Sequence, residues 1–158
     1  MPGRPNETSG QDFGGARILV IDDEDGVRRI VRRMLGDCNC RIIEAVDGFN
    51  GLMHLESEPT VDLVLTDLAM PRVGGLAVVQ TVALRYPGIP VIVMSGNGAA
   101  MAAAPQVPVL RKPFTAAELL GIVAHQLARR FRVAPGVAGP PSAPARVMSR
   151  PRYRSPPR

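Results

Sequence analysis

Short apolar runs alternate with helix-spaced apolar positions over most of this chain. Ile18-Leu19-Val20-Ile21 is continuously apolar, the pattern of a strand covered on both faces. Val27, Ile30, Val31, Met34 and Leu35 then share one helical face, and Gly36 stands where that helix can end. Arg41-Ile42-Ile43-Glu44 predicts a second strand, and residues 48–55 a second helix. Residues 61–66 and 90–94 predict the third and fourth strands, with a helix over residues 76–85 between them. Residues 107–111 predict a fifth strand. In the last helix Thr115 and Glu118 form a capping box, and Leu119, Ile122, Val123 and Leu127 line one face. Five strands alternating with helices imply an α/β protein, a doubly wound parallel sheet with helices on both faces.

Composition narrows the class. With 158 residues and 46% hydrophobic content there is room for one domain with its own core. No apolar run reaches the roughly 18–20 residues of a membrane helix. The first sixteen residues lack the apolar stretch of a secretory signal, so the expected location is cytoplasmic. Cys38 and Cys40 are too few for a disulfide framework or a zinc site.

The net charge of +5 is unevenly spread. All 14 acidic residues lie at or before Glu118, whereas residues 129–158 hold eight arginines and no acid. Subtracting those eight from the 19 basic groups leaves 11 against 14 acids, or −3, for residues 1–128. The expected organisation is a flexible arm over 1–15, a folded unit over 16–132 and a disordered Pro- and Arg-rich tail over 133–158. The tail's charge suits an acidic partner or nonspecific nucleic acid. Tyr153 is its one aromatic residue, too little for a stacking platform.

Candidate chemistry sits at the strand ends. Asp22 and Asp23 follow the first strand, Asp67 the third, Ser95 the fourth and Lys112 the fifth. Ligands of open parallel sheets bind outside the carboxyl ends of the strands, so this placement gathers three carboxylates, a hydroxyl and an ammonium along one edge. Asp and Ser are each common after strands as turn formers and caps. The joint pattern is more specific, and the chain keeps one lysine, Lys112, among 18 arginines. Clustered carboxylates favour a divalent cation with oxygen ligands, Mg2+ where water and phosphoryl oxygens complete the set. A carboxylate beside that charge can accept a phosphoryl group as an aspartyl phosphate.

The segments Ile18-Leu19-Val20-Ile21-Asp22-Asp23-Glu24, Leu65-Thr66-Asp67-Leu68-Ala69-Met70-Pro71, Met94-Ser95-Gly96 and Lys112-Pro113-Phe114 resemble the four signature blocks of bacterial response-regulator receiver domains. They occur in the family's order, and the resemblance spans residues 17–130. It implies a flavodoxin-like (βα)5 fold with strand order 2-1-3-4-5. It implies Asp67 as the phosphorylated residue and Mg2+ held by Asp22, Asp23, Asp67 and the backbone carbonyl of Ala69. Ser95 and Lys112 would each contact a phosphoryl oxygen, and Gly74-Gly75 would make the tight turn before the third helix. The donor would be a histidine kinase or histidine phosphotransfer protein, and the chain a signalling switch, not an enzyme, with no folded output domain.

Two departures stand out. The interval from Ser95 to Lys112 is shorter than usual in the family by more than a helical turn. Gly96 to Val107 contains five alanines, so a short or irregular fourth helix is expected there. Val109 stands where the family usually has an aromatic switch residue, so an output route other than the family's usual one is expected. The rival readings are a nucleic-acid-associated regulator with the tail as effector, and a receiver-like interaction module that is not phosphorylated.

Overall fold

The apolar run at Ile18–Ile21 lies inside the strand β1 (Ala16–Ile21), whose alternating side chains feed two cores at once. The computed structural model describes residues 10–57, 60–96, 98 and 106–132. Beyond β1 these form α1 (Asp25–Leu35), β2 (Cys40–Ala45), α2 (Gly48–Ser57), β3 (Leu63–Asp67) and α3 (Gly75–Arg85). β4 (Val91–Ser95), β5 (Val109–Arg111) and α4 (Ala116–Arg132) complete them. All strand pairings are parallel, in the order β2-β1-β3-β4-β5. This is the doubly wound order that the resemblance implied.

Ile18 and Val20 join Leu63, Leu65, Ile92, Met94 and Leu110 on one face of the sheet. That face is covered by Val31 and Leu35 of α1 and by Leu119, Val123 and Leu127 of α4. Leu19, Ile21 and Val64 point the other way, against Leu55 of α2 and Val78 and Val82 of α3. Each such side chain is worth about 1.5–3 kcal/mol when fully buried, so both layers lock the register. The register pairs Ile21 with Thr66, Asp67 with Met94, and Ser95 with Arg111, which brings the carboxyl ends of the strands level. Thr115 and Glu118 do form the expected capping box: the Thr115 N–H donates to Glu118 Oε2 at 2.7 Å, and the Glu118 N–H to Thr115 Oγ1 at 3.2 Å.

Some boundaries and faces differ from expectation. β3 starts at Leu63 and includes Asp67; Val61 is fully buried but precedes the ladder. Only residues 109–111 of the expected fifth strand pair with β4. On α1, Ile30 is 52% exposed, and Arg28 is buried instead. The folded unit also begins before residue 16. Phe13 is 8% exposed within the first core and its N–H donates to the Cys38 carbonyl at 2.8 Å. Residues 1–9, the tail 133–158, and 97 and 99–105 of the expected fourth helix lie outside the described residues.

At the amino ends of the strands, α4 is tied down by a clasp. Arg130 Nη1 donates to the carbonyls of Asp62 and Gly88, and Arg130 Nη2 lies 3.3 Å from Asp62 Oδ1. The other Asp62 oxygen accepts from the Arg17 N–H at 2.9 Å. Among the described residues no helix is long and apolar enough to cross a membrane.

Candidate functional site

The opposite edge of the sheet carries the candidate residues. Asp22 leaves β1 fully buried, its N–H donating to the Ala45 carbonyl at 3.2 Å. Its Oδ1 accepts from the Glu24 N–H at 2.9 Å, which turns the chain into α1. Asp23, next along, is exposed. Asp67 ends β3 at 5% exposure, and the Leu68 N–H behind it donates to the Met94 carbonyl. Ser95, also 5% exposed, ends β4, and the Lys112 N–H donates to its carbonyl at 2.9 Å. Ala69 is exposed in the bend after β3.

Lys112 unites two of the carboxylates. Its Nζ donates to Asp22 Oδ2 at 2.9 Å and to Asp67 Oδ1 at 3.2 Å. Burial raises the Asp67 carboxyl above its ordinary range; the Lys112 charge works against that rise and the Asp22 charge adds to it. Burial acts to lower the Lys112 ammonium, but hydrogen bonds and charge from Asp22 and Asp67 together outweigh it and hold it raised. One ammonium shared between two buried carboxylates stays firmly charged itself while leaving Asp67 undercompensated.

Asp22, Asp23 and Asp67 each offer an oxygen within 4.8 Å of the others. With Lys112 the four side chains sum to −3 + 1 = −2. That is the charge a single divalent cation cancels, and an all-oxygen donor set suits Mg2+. The residues present therefore fit the metal.

Two further side-chain requirements shape this edge, and the motifs alone do not display them. Gly74 has ordinary extended angles, and the left-handed residue of the β3–α3 loop is Arg72, at φ 65°. Gly75 is required for close approach: a Cβ there would lie 2.1 Å from the Asp67 carbonyl oxygen and 2.8 Å from Leu68 Cα. Arg28 belongs to none of the signature blocks, yet it holds the site. Its Nη1 donates to the Asp22 carbonyl at 2.7 Å, with Asp25 at 3.1 Å and Glu44 at 3.9 Å as counter-charges. Its one mark in the sequence is helical phase, which it shares with the buried Val31 and Leu35.

Comparison with known proteins bears on the family and the fold. The family model "Response regulator receiver domain" matches residues 18–124. Protein PilG of Pseudomonas aeruginosa is 32% identical over 123 residues, covering 72% of this chain and 88% of PilG. The CAI-1 autoinducer sensor kinase/phosphatase CqsS of Vibrio cholerae is 37% identical over 84 residues, which cover 51% of this chain but 12% of CqsS. Among solved structures, a response regulator receiver domain protein from Clostridium thermocellum superposes with a TM-score of 0.68 at 28% identity. That match covers 75% of this chain and 99% of the other.

Proposed function

The chain belongs to the response regulator receiver family, and from that premise we propose that it accepts a phosphoryl group on Asp67 within a two-component phosphorelay. The observation that carries this reading is the Lys112 ammonium bridging buried Asp22 and Asp67, with Asp23 alongside.

Asp67 supplies the nucleophilic carboxylate oxygen. The bond formed joins that oxygen to phosphorus; the bond broken is the P–N bond of a phosphohistidine on a histidine kinase or phosphotransfer protein. The departing electron pair stays on the imidazole nitrogen, which takes up a proton. Lys112 already holds one Asp67 oxygen and neutralises charge that develops on the phosphoryl group. The Ser95 hydroxyl, at the end of the adjacent strand, donates to a phosphoryl oxygen. Asp22, Asp23, Asp67 and the Ala69 carbonyl would hold Mg2+, which would supply positive charge to offset the acidic cluster. Arg28 keeps the β1–α1 turn, and with it Asp22, in place.

Incubation with Mg2+ and acetyl phosphate, followed by intact-mass analysis, tests the reading. The expected result is a single phosphoryl adduct that requires Mg2+ and is absent in Asp67→Asn. An adduct that persists in Asp67→Asn places the phosphate elsewhere and overturns the assignment.

A further inference from the structure

We propose that Arg111 supplies a second cation to the phosphorylated site, engaging the phosphoryl oxygens from the Ser95 side. This rests on the phosphoacceptor reading of Asp67 and goes beyond it.

The placement comes from the sheet. The β4–β5 register sets Arg111 beside Ser95, on strands roughly 4.8 Å apart. Leu110 points into the core under α1 and α4, so by strand alternation Val109 and Arg111 face the opposite layer. Lys112, one residue on, returns to Asp22 and Asp67. Two consecutive cations thus leave β5 toward opposite sides of the acceptor. The Arg111 guanidinium lies over the chain that follows β4: its Nη2 would be 3.3 Å from a Cβ at Gly98. Among the described residues Arg111 is exposed and has no carboxylate within ion-pair distance.

Charge balance gives this cation a task. The four side chains of the resting site sum to −2, which one divalent cation cancels. Phosphorylation replaces the single charge of Asp67 with up to about −2. With the metal bound, the site is then left one negative charge in excess. Arg111 is the cation alongside that no described carboxylate engages, and its planar fork of N–H donors matches adjacent phosphoryl oxygens better than an ammonium would. In the unphosphorylated protein with the metal bound the same charge has no excess to meet, so its engagement then reports the phosphorylated state.

The test uses the intact chain with Mg2+ and beryllium fluoride as the phosphoryl mimic, comparing wild type, Arg111→Gln, Arg111→Lys and the distant exposed-site control Arg129→Gln. Arg111→Gln should weaken binding of the mimic by about five- to tenfold, the effect of losing one charge-assisted hydrogen bond in a solvated setting. Mg2+ affinity without the mimic, and Tm, should be unchanged. Arg111→Lys should fall between, and the Arg111 Nε resonance of the wild type should move when the mimic is added with Mg2+. Binding by Arg111→Gln within twofold of wild type overturns the proposal, as does an equal loss in Arg129→Gln. An equal loss of metal affinity in the absence of the mimic also overturns it. Failure of the wild type to bind the mimic would bring down the phosphoacceptor reading and this inference together.

Discussion

Replacing Asp23 with asparagine should raise the stability of the metal-free protein and lower its ranking once Mg2+ is added. Asp22, Asp23 and Asp67 present oxygens within 4.8 Å of one another, with one ammonium among them. Two like charges at that separation repel by roughly 3.5 kcal/mol at an effective dielectric of 20 and by roughly 0.9 kcal/mol in water. Asp23 is exposed, so the lower figure applies to it. Lys112 offsets one of the two neighbouring carboxylates, which leaves a net repulsion of about 1 kcal/mol for the substitution to relieve. For a domain of this size that corresponds to a rise in Tm of roughly 3–5 °C. Mg2+ reverses the order. At 100 times its Kd a ligand adds about 2.7 kcal/mol to the wild type, whereas tenfold weaker binding leaves the variant only about 1.4 kcal/mol. Thermal melts in EDTA and across a Mg2+ titration follow both effects. The two Tm curves should cross. A variant that melts below wild type in EDTA, or that gains as much from Mg2+, refutes the charge accounting.

Other substitutions probe the scaffold. Gly75→Ala pushes a methyl against the Asp67 carbonyl and should cost about 1–3 kcal/mol by chemical denaturation, with slower phosphorylation; a neutral result would mean the loop yields freely. Arg28→Leu leaves the Asp22 carbonyl without its donor and should cost about 1–3 kcal/mol while weakening Mg2+ binding in calorimetry; unchanged binding would remove Arg28 from the positioning of the site. Glu118→Ala tests the capping box through pH. The Thr115 backbone and hydroxyl donors hold the Glu118 carboxyl below its ordinary value of 4.5, so its contribution is present above that value and lost as pH falls through the depressed folded-state pKa. The Tm difference between Glu118→Ala and wild type should therefore shrink on acidification below 4.5, and a difference that grows there contradicts the cap.

Much of the site is readable in the sequence because strand ends are marked by simple chemistry. Continuous apolar runs locate β1, β3 and β4, and in a parallel sheet the residue after each run must emerge at the same edge. Pattern alone therefore puts Asp22, Asp67, Ser95 and Lys112 together. The details that escape it are tertiary. Val61 is as buried as a strand residue, so burial pattern does not separate it from the β3 ladder. Ile30 is exposed where the apolar spacing put it on the buried face, and Arg28 is buried because it finds an acceptor on Asp22 and counter-charges on Asp25 and Glu44. Phe13 reads as part of an arm because one aromatic residue among Gly and polar neighbours has no periodicity, yet the core accepts it. Gly75 matters as the turn motif suggests but for a different cause, since its need for no side chain comes from the Asp67 carbonyl and not from the angles of a tight turn.

The clasp at Arg130 sets a practical limit on where the polypeptide can be shortened. One guanidinium joins four distant stretches of chain: Arg17 through Asp62, the start of β3, the loop at Gly88, and α4 itself. A fragment that stops at residue 129 would release the last turn of α4 and strand the Asp62 carboxylate beside the Arg17 amide. A fusion partner joined beyond Arg132 would leave the fastening intact. The fastener sits at the amino ends of the strands, across the sheet from the carboxylate cluster.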